Sequence, residues 1–404
     1  MVNDPSSTLS VESFRIVRPG LGNNPSLART GNGDLLLLYA NYADCMEGCR
    51  QFLLRSTDNG VTWSEPEMEM VSSLPKGGVE GTVSCLGDLS LIFYLEGSDI
   101  KRHPTNEKYM RMMRSTDHGR TWSEPETVEG EWGEGMPFGH AIRLRKSGRI
   151  LLPAWGFDGW LERSSSGSRI YMLASDDDGV SWRLHGTMRA DASVKELQIT
   201  ETSILELPDG RILAMGRGDA HKSGAFPYSF RSISDDGGAT WEPARPVNIN
   251  FCEPRLLLFN DKPLLVARSW PGNFHSWYRP LEPQEREPGS NQTETVSAEF
   301  RDEFLSPVRD FGVVLFSTED DGVTWTPELT MQNPKDEAVP EDADALTQHR
   351  YQAAYPGVAA LDEDRLLVVF RQPDPTMPDL FPGLTYSHVF QRFLAANVIR
   401  AGKD

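Results

Sequence analysis

Six times along the chain a short apolar run is followed by a polar turn and a second apolar run. The second runs are Leu35–Ala40, Leu89–Tyr94, Arg149–Trp155, Arg211–Gly216, Pro263–Arg268 and Arg365–Arg371. Runs of this length predict strands rather than helices, and turns such as Asn32-Gly33, Asp209-Gly210 and Asp362-Glu363-Asp364 predict hairpins between them. No helical period of useful length occurs. After five of the hairpins comes an octet of the form Ser/Thr-x-Asp-x-Gly-x-Ser/Thr-Trp. Its copies are Ser56–Trp63, Ser115–Trp122, Ser175–Trp182, Ser234–Trp241 and Thr318–Trp325. In such a turn Asp hydrogen-bonds its own loop, Gly supplies a positive φ and Trp anchors the loop on the sheet. Five copies with an invariant Trp make this an internal repeat.

Six hairpins, each opening a sheet of about four strands, predict an all-β fold, a six-bladed β-propeller of antiparallel blades forming one domain over residues 1–404. After the sixth hairpin no octet follows, so Leu380–Ile399 and the N-terminal Val11–Val17 are expected to complete the last blade and close the ring. The octet tryptophans are 59, 60, 59 and 84 residues apart. The long interval holds an insertion at about 269–306, rich in Pro and Glu, with Trp270, Trp277 and Tyr278. Pro334–Thr347 is acidic and reads as a solvated loop.

Composition narrows the function. The chain is 38% hydrophobic and 25% charged, enough for a large core. Its net charge of −19 argues against nucleic acid as a partner. Apolar runs are too short to span a membrane as a helix. Met1–Ser10 lacks the features of a signal peptide, which favours a cytoplasmic protein, or a secreted one if a leader has been removed. Cys45 and Cys49 have no second pair or clustered histidines nearby, so free thiols in a loop are expected and no metal. Nothing calls for a cofactor, and nothing fixes the oligomeric state.

In a propeller the start of strand 1, the end of strand 2 and the start of strand 3 of every blade share one face, opposite the octets. The strand-1 starts are Asn23 and Asn24, Glu80, His140, Glu201, Glu253 and Tyr355. The strand-2 ends and the loops after them contribute Asp44, Asp158, Arg217 with Asp219, and Arg268, and the strand-3 starts contribute Arg50 and Arg309. Each has a structural alternative: Asp44 as a turn cap, Glu201 as a partner for Arg217, Tyr355 as core. Together on one rim they point to a functional site.

These features resemble the sialidase superfamily, whose Asp boxes match the octets. Asn24-Pro25-Ser26-Leu27 followed by Asn32-Gly33-Asp34 resembles the opening strand pair of sialidases. Gly139-His140-Ala141-Ile142 resembles their third blade, and Glu201-Thr202-Ser203 through Arg217 their fourth. Tyr355-Pro356-Gly357 resembles the segment that carries their nucleophile. The resemblance implies a retaining exo-glycosidase acting on sialic acid or a related acidic sugar at glycan ends. It implies Asp44 as acid/base, Tyr355 as nucleophile and Glu201 as the carboxylate that takes its proton. Arg217 and Arg309 match two of three arginines that grip the sugar carboxylate. The third sits two residues before the proline of the opening strand, where this chain has Asn23. Either Arg18 or Arg50 replaces it, or the substrate is another acidic sugar. Trp270, Trp277 or Tyr278 is expected to stack on sugar rings, with an interface or ordered flap as the alternative. Two other readings stay open. One is a propeller polysaccharide lyase on a uronate glycan, using His140, Tyr355, Arg217 and Asn23. The other is a non-catalytic glycan-binding propeller.

Overall fold

The computed structural model describes residues 9–18, 22–41, 47–98, 108–130, 135–157, 168–190, 197–220, 229–269, 312–331, 353–373 and 392–401. Among these all the regular structure is strand. Blade one contains β2 (Asn23–Arg29), β3 (Leu35–Ala40), β4 (Gln51–Ser56) and β5 (Met68–Met70). Blade two contains β6 (Gly77–Leu86), β7 (Leu89–Ser98), β8 (Lys108–Ser115) and β9 (Glu126–Thr127). In blade three the innermost strand is broken into β10 (Met136–Pro137) and β11 (Ile142–Arg143), followed by β12 (Ile150–Phe157), β13 (Ser168–Ser175) and β14 (Arg183–Met188). Blade four is β15 (Leu197–Glu206), β16 (Ile212–Ala220), β17 (Phe230–Ser234) and β18 (Arg245–Pro246). Blade five is β19 (Phe251–Phe259), β20 (Lys262–Ser269), β21 (Gly312–Ser317) and β22 (Thr326–Met331). Blade six joins β23 (Ala354–Ala360), β24 (Arg365–Pro373) and β25 (Arg392–Ala401) to β1 (Leu9–Arg18). All neighbours pair antiparallel, so the expected six-bladed propeller is the fold. The N-terminal strand closes it, with Val11 opposite Ile399 on β25.

The core is a ring of seams rather than one central mass. Each blade is covered on both faces by its neighbours, so its middle strands are apolar throughout, as β3 is, and alternate residues serve different seams. Leu35 and Leu37 pack against Leu367 and Val369 of blade six, while Leu36 and Leu38 pack against Val83 and Ile92 of blade two. Six separate apolar clusters fill the six seams.

The octets belong to this scheme. In the first, Asp58 accepts from the Thr62 N–H at 2.9 Å and the Thr62 hydroxyl at 2.6 Å, and the Gly60 N–H donates to Ser56 Oγ at 2.9 Å. Gly60 has a φ of 76°, and a Cβ there would lie 2.5 Å from Leu367, so both the backbone and the contact demand glycine. Each octet Trp plugs the seam toward the preceding blade: Trp122 packs against blade one, Trp182 against blade two, Trp325 against blade four. The preceding blade answers with a side chain that caps the octet carbonyls. Arg55 donates to His118 O and Gly119 O at 3.1 and 2.7 Å, Arg114 to Asp178 O at 2.7 Å, and Arg231 to Asp321 O at 2.8 Å. Nearer the axis, serine hydroxyls stitch innermost strands to the next blade. Ser26 Oγ accepts from Val83 N, Ser84 Oγ from Ala141 N, and Ser203 Oγ from Leu256 N, at 3.0, 2.8 and 3.0 Å.

Candidate active site

On the face opposite the octets, four innermost strands share one irregularity near their start. The pairing register slips between Asn23 and Ser26, Ile199 and Thr202, Cys252 and Arg255, and Ala354 and Gly357. A bulge places an extra residue in the strand and re-aims its side chain. In three blades that residue is a non-glycine with positive φ before a proline: Asn24 at 45°, Glu253 at 58° and Tyr355 at 52°. Such backbone is unfavourable for these residue types and persists only where the surroundings enforce it. At the end of the second strand sits an arginine: Arg217 sixteen residues after Glu201, Arg268 fifteen after Glu253, Arg371 sixteen after Tyr355.

Hydrogen bonds run from blade to blade through this constellation. Glu201 pairs with Arg217 at 3.0 Å through Oε1, and its Oε2 accepts the Glu253 N–H at 2.9 Å. Glu253 accepts the Tyr355 N–H through Oε2 at 2.6 Å, and its Oε1 lies 2.7 Å from Arg268. Glu253 and Arg268 are 1% and 2% exposed. Charges this deep are tolerable only as a pair. Burial pulls the Arg268 pKa down, but Glu253 together with Cys252 and Tyr355 more than offsets it and leaves the guanidinium above its usual value. The Tyr355 ring lies beneath two guanidinium groups, with Arg371 at 4.6 Å and Arg268 at 5.6 Å from its centroid. The Arg371 Nη1 donates to Asn23 Oδ1 at 2.8 Å, tying blade six to blade one.

Of the residues singled out in the sequence, Glu201, Arg217, Tyr355 and Asn23 therefore lie in one connected network. His140, between β10 and β11, is 3.1 Å from Ser26 Oγ through Nε2. Burial and the nearby Arg255 guanidinium push its pKa down to about 3, so the ring is neutral across the physiological range. Arg255 itself reaches across to blade three and stacks at 4.4 Å on Phe138. The two arginines named as substitutes are engaged elsewhere. Arg18 ends the outermost strand of blade six and pairs with Glu65 at 3.1 Å, and Arg50 forms a half-exposed pair with Glu69 at 2.7 Å. Physically, each has found a carboxylate on blade one. Asp44, Arg309, Trp277, Trp270, Tyr278, Asp158 and Cys45 lie outside the described residues, as do nearly all of the insertion and the acidic 334–347 segment. Cys49 is buried, its thiol donating to Val79 O at 3.2 Å. Among the described residues no cluster of His, Cys, Asp and Glu is placed to hold a metal ion.

Arg371 escaped the sequence reading because nothing local marks it. Its signal was the sixteen-residue offset from Tyr355, repeated from Glu201 to Arg217. Glu253 and Arg268 were visible on the rim but carried no assigned role.

A family model described as a BNR repeat-like domain matches residues 86–368. A sialidase of Bacteroides fragilis (strain YCH46) is 23% identical over 248 residues, and the match covers 54% of this chain but only 42% of that relative. Among solved structures, a Dyadobacter fermentans protein of unknown function superposes with a TM-score of 0.67 at 16% identity, covering 98% of this chain and 99% of the other. A Hadza microbial sialidase superposes with a TM-score of 0.59 at 18% identity, covering 93% and 66% of the two chains. At these identities the structural likeness is one of fold.

Proposed function

The chain belongs to the BNR repeat-like domain family and has a sialidase-like fold, and from that premise we propose that it is a retaining glycoside hydrolase releasing sialic acid or a related acidic sugar. The observation that supports this reading is the hydrogen-bonded run Arg217–Glu201–Glu253–Tyr355. It gathers Tyr355, two carboxylates and Arg217 from three blades onto one face.

In this reading Tyr355 Oη attacks the anomeric carbon. A carboxylate nucleophile would be repelled by the acid group on that carbon, whereas a phenol is not, and tyrosine is the known departure from the two-carboxylate rule. The phenol proton passes to Glu201. The glycosidic C–O bond breaks as Asp44 protonates the leaving oxygen, and a glycosyl-tyrosine forms. Asp44 then takes a proton from water, which attacks the same carbon as its bond to Tyr355 Oη breaks, and the departing phenolate recovers its proton from Glu201. Two displacements at one centre retain configuration. The lyase alternative needs a base able to remove a carbon-bound proton. An imidazole held near 3, as His140 is, is too weak for that task, which leaves Tyr355 as the base of that alternative.

The test is Tyr355→Phe assayed on an aryl glycoside of sialic acid. Turnover should fall by about a thousandfold or more with an unchanged melting temperature, because the variant keeps the ring and loses only the nucleophilic oxygen. A rate near that of the wild type would remove Tyr355 from the chemistry. An unsaturated product, seen by its ultraviolet absorbance, would put elimination in place of hydrolysis.

A further inference from the structure

We propose that Arg371, on β24, is a carboxylate-binding residue of this site, and that Asn23 is its built-in holder rather than a defect in the pocket. The inference rests on the glycosidase reading above and names a side chain that grips the acid group. Arg371 occupies the same place in blade six that Arg217 and Arg268 occupy in blades four and five. The three are not equivalent. Arg268 is clamped by a buried carboxylate at 2.7 Å and serves the scaffold. Arg217 shares Glu201, the carboxylate expected to handle the proton. Arg371 meets the neutral amide oxygen of Asn23 at 2.8 Å, and its guanidinium lies 4.6 Å above the ring of Tyr355. A sugar whose anomeric carbon approaches the phenol thus brings the carboxylate on that carbon toward a fixed guanidinium, whose fork matches a planar carboxylate.

The identity of residue 23 follows from the same contact. An amide can accept from Arg371, whereas an arginine at position 23 would set one guanidinium against another in a site that is 3% and 2% exposed at the two residues. Asparagine at 23 and arginine at 371 are therefore coupled, and the positive charge has moved from the opening strand of blade one to the second strand of blade six.

The experiment is calorimetric titration of the full chain with N-acetylneuraminic acid and glucuronic acid as acidic probes and N-acetylmannosamine as a neutral one. It compares the wild type with Arg371→Met, Arg371→Lys and the exchange Asn23→Arg/Arg371→Met. Arg371→Met should weaken binding of the acidic probe by about ten- to a hundredfold and leave the neutral probe unaffected. Lysine, keeping charge without the fork, should fall between, and it also carries the test should the methionine variant not fold. The exchange should recover most of the lost affinity, although Asn23→Arg alone should destabilise the fold. Unchanged acidic binding in both Arg371→Met and Arg371→Lys would overturn the role of Arg371 while leaving the glycosidase reading standing. A wild type that binds neither acid would overturn both.

Discussion

The two faces of the disc are built on opposite plans. On the octet face one local device is repeated five times, each copy satisfying its own loop with the same Ser, Asp and Thr contacts. On the other face blades four and five share a Glu–Arg pair and blade six keeps only the arginine, each turned to a different neighbour, and the contacts join side chains up to 348 residues apart. A device that closes on itself can be copied, so it serves stability. A set of charges that must meet at one point uses even its repeated parts differently, because each arginine there faces a different partner. The price is visible as positive φ at Asn24, Glu253 and Tyr355 and as an ion pair deep in the protein.

The contrast can be broken most directly at Glu253. Glu253→Ala should cost about 3–5 kcal/mol in denaturant unfolding, because it strands the buried Arg268 charge. Adding Arg268→Met should restore much of that loss, the signature of coupled neighbours. If the double variant is worse than the single one, the face is not a coupled unit. The octets should behave otherwise. Asp177→Ala removes bonds from the Ser181 N–H and hydroxyl and should cost far less stability than Glu253→Ala, as loss of an exposed capping residue does. Combining it with Asp58→Ala, two blades away, should simply add the costs. Marked non-additivity would mean that the octets communicate.

The smallest effect separates the faces by pH. Burial and Arg255 depress His140 to about 3, below its unfolded value of about 6.5, so its contribution is complete above about 6.5 and is lost as pH falls toward 3. Hydrogen bonds from Ser181 and Ser175 hold Asp177 at about 2, below the usual value of about 4, so its contribution is lost only between about 4 and 2. Melting temperature followed from pH 7 to 2 should therefore decline in two limbs on the order of these windows. His140→Gln should flatten part of the upper limb, since burial also depresses His185 on the octet side. Asp177→Ala should alter only the lower limb. An upper limb untouched by the His140 variant would show that the imidazole does not resist protonation.

How much was legible followed from distance along the chain. The hairpins, the octets and the closing strand could be read because their determinants lie within a few residues, or repeat at a fixed interval. Glu201, Arg217 and Tyr355 could be read because a fixed strand position decides which face they share. Arg18 and Arg50 illustrate the limit. Arg18 lies close to Asn23 in sequence and Arg50 stands at the start of the third strand on the same face, yet each meets a carboxylate on blade one. Closing the ring, not the local chain, brings Arg371 to Asn23.

The amino-acid sequence by itself determined the number of blades, the octet geometry and the face on which the charged rim residues collect, because alternation, turn residues and repeats act locally. Only the tertiary structure decided which charges neutralise one another. Pairing depends on ångström-scale placement: the bulge of β19 turns Glu253 onto Arg268 within blade five, and closure of the ring brings Arg371 of blade six to Asn23 of blade one.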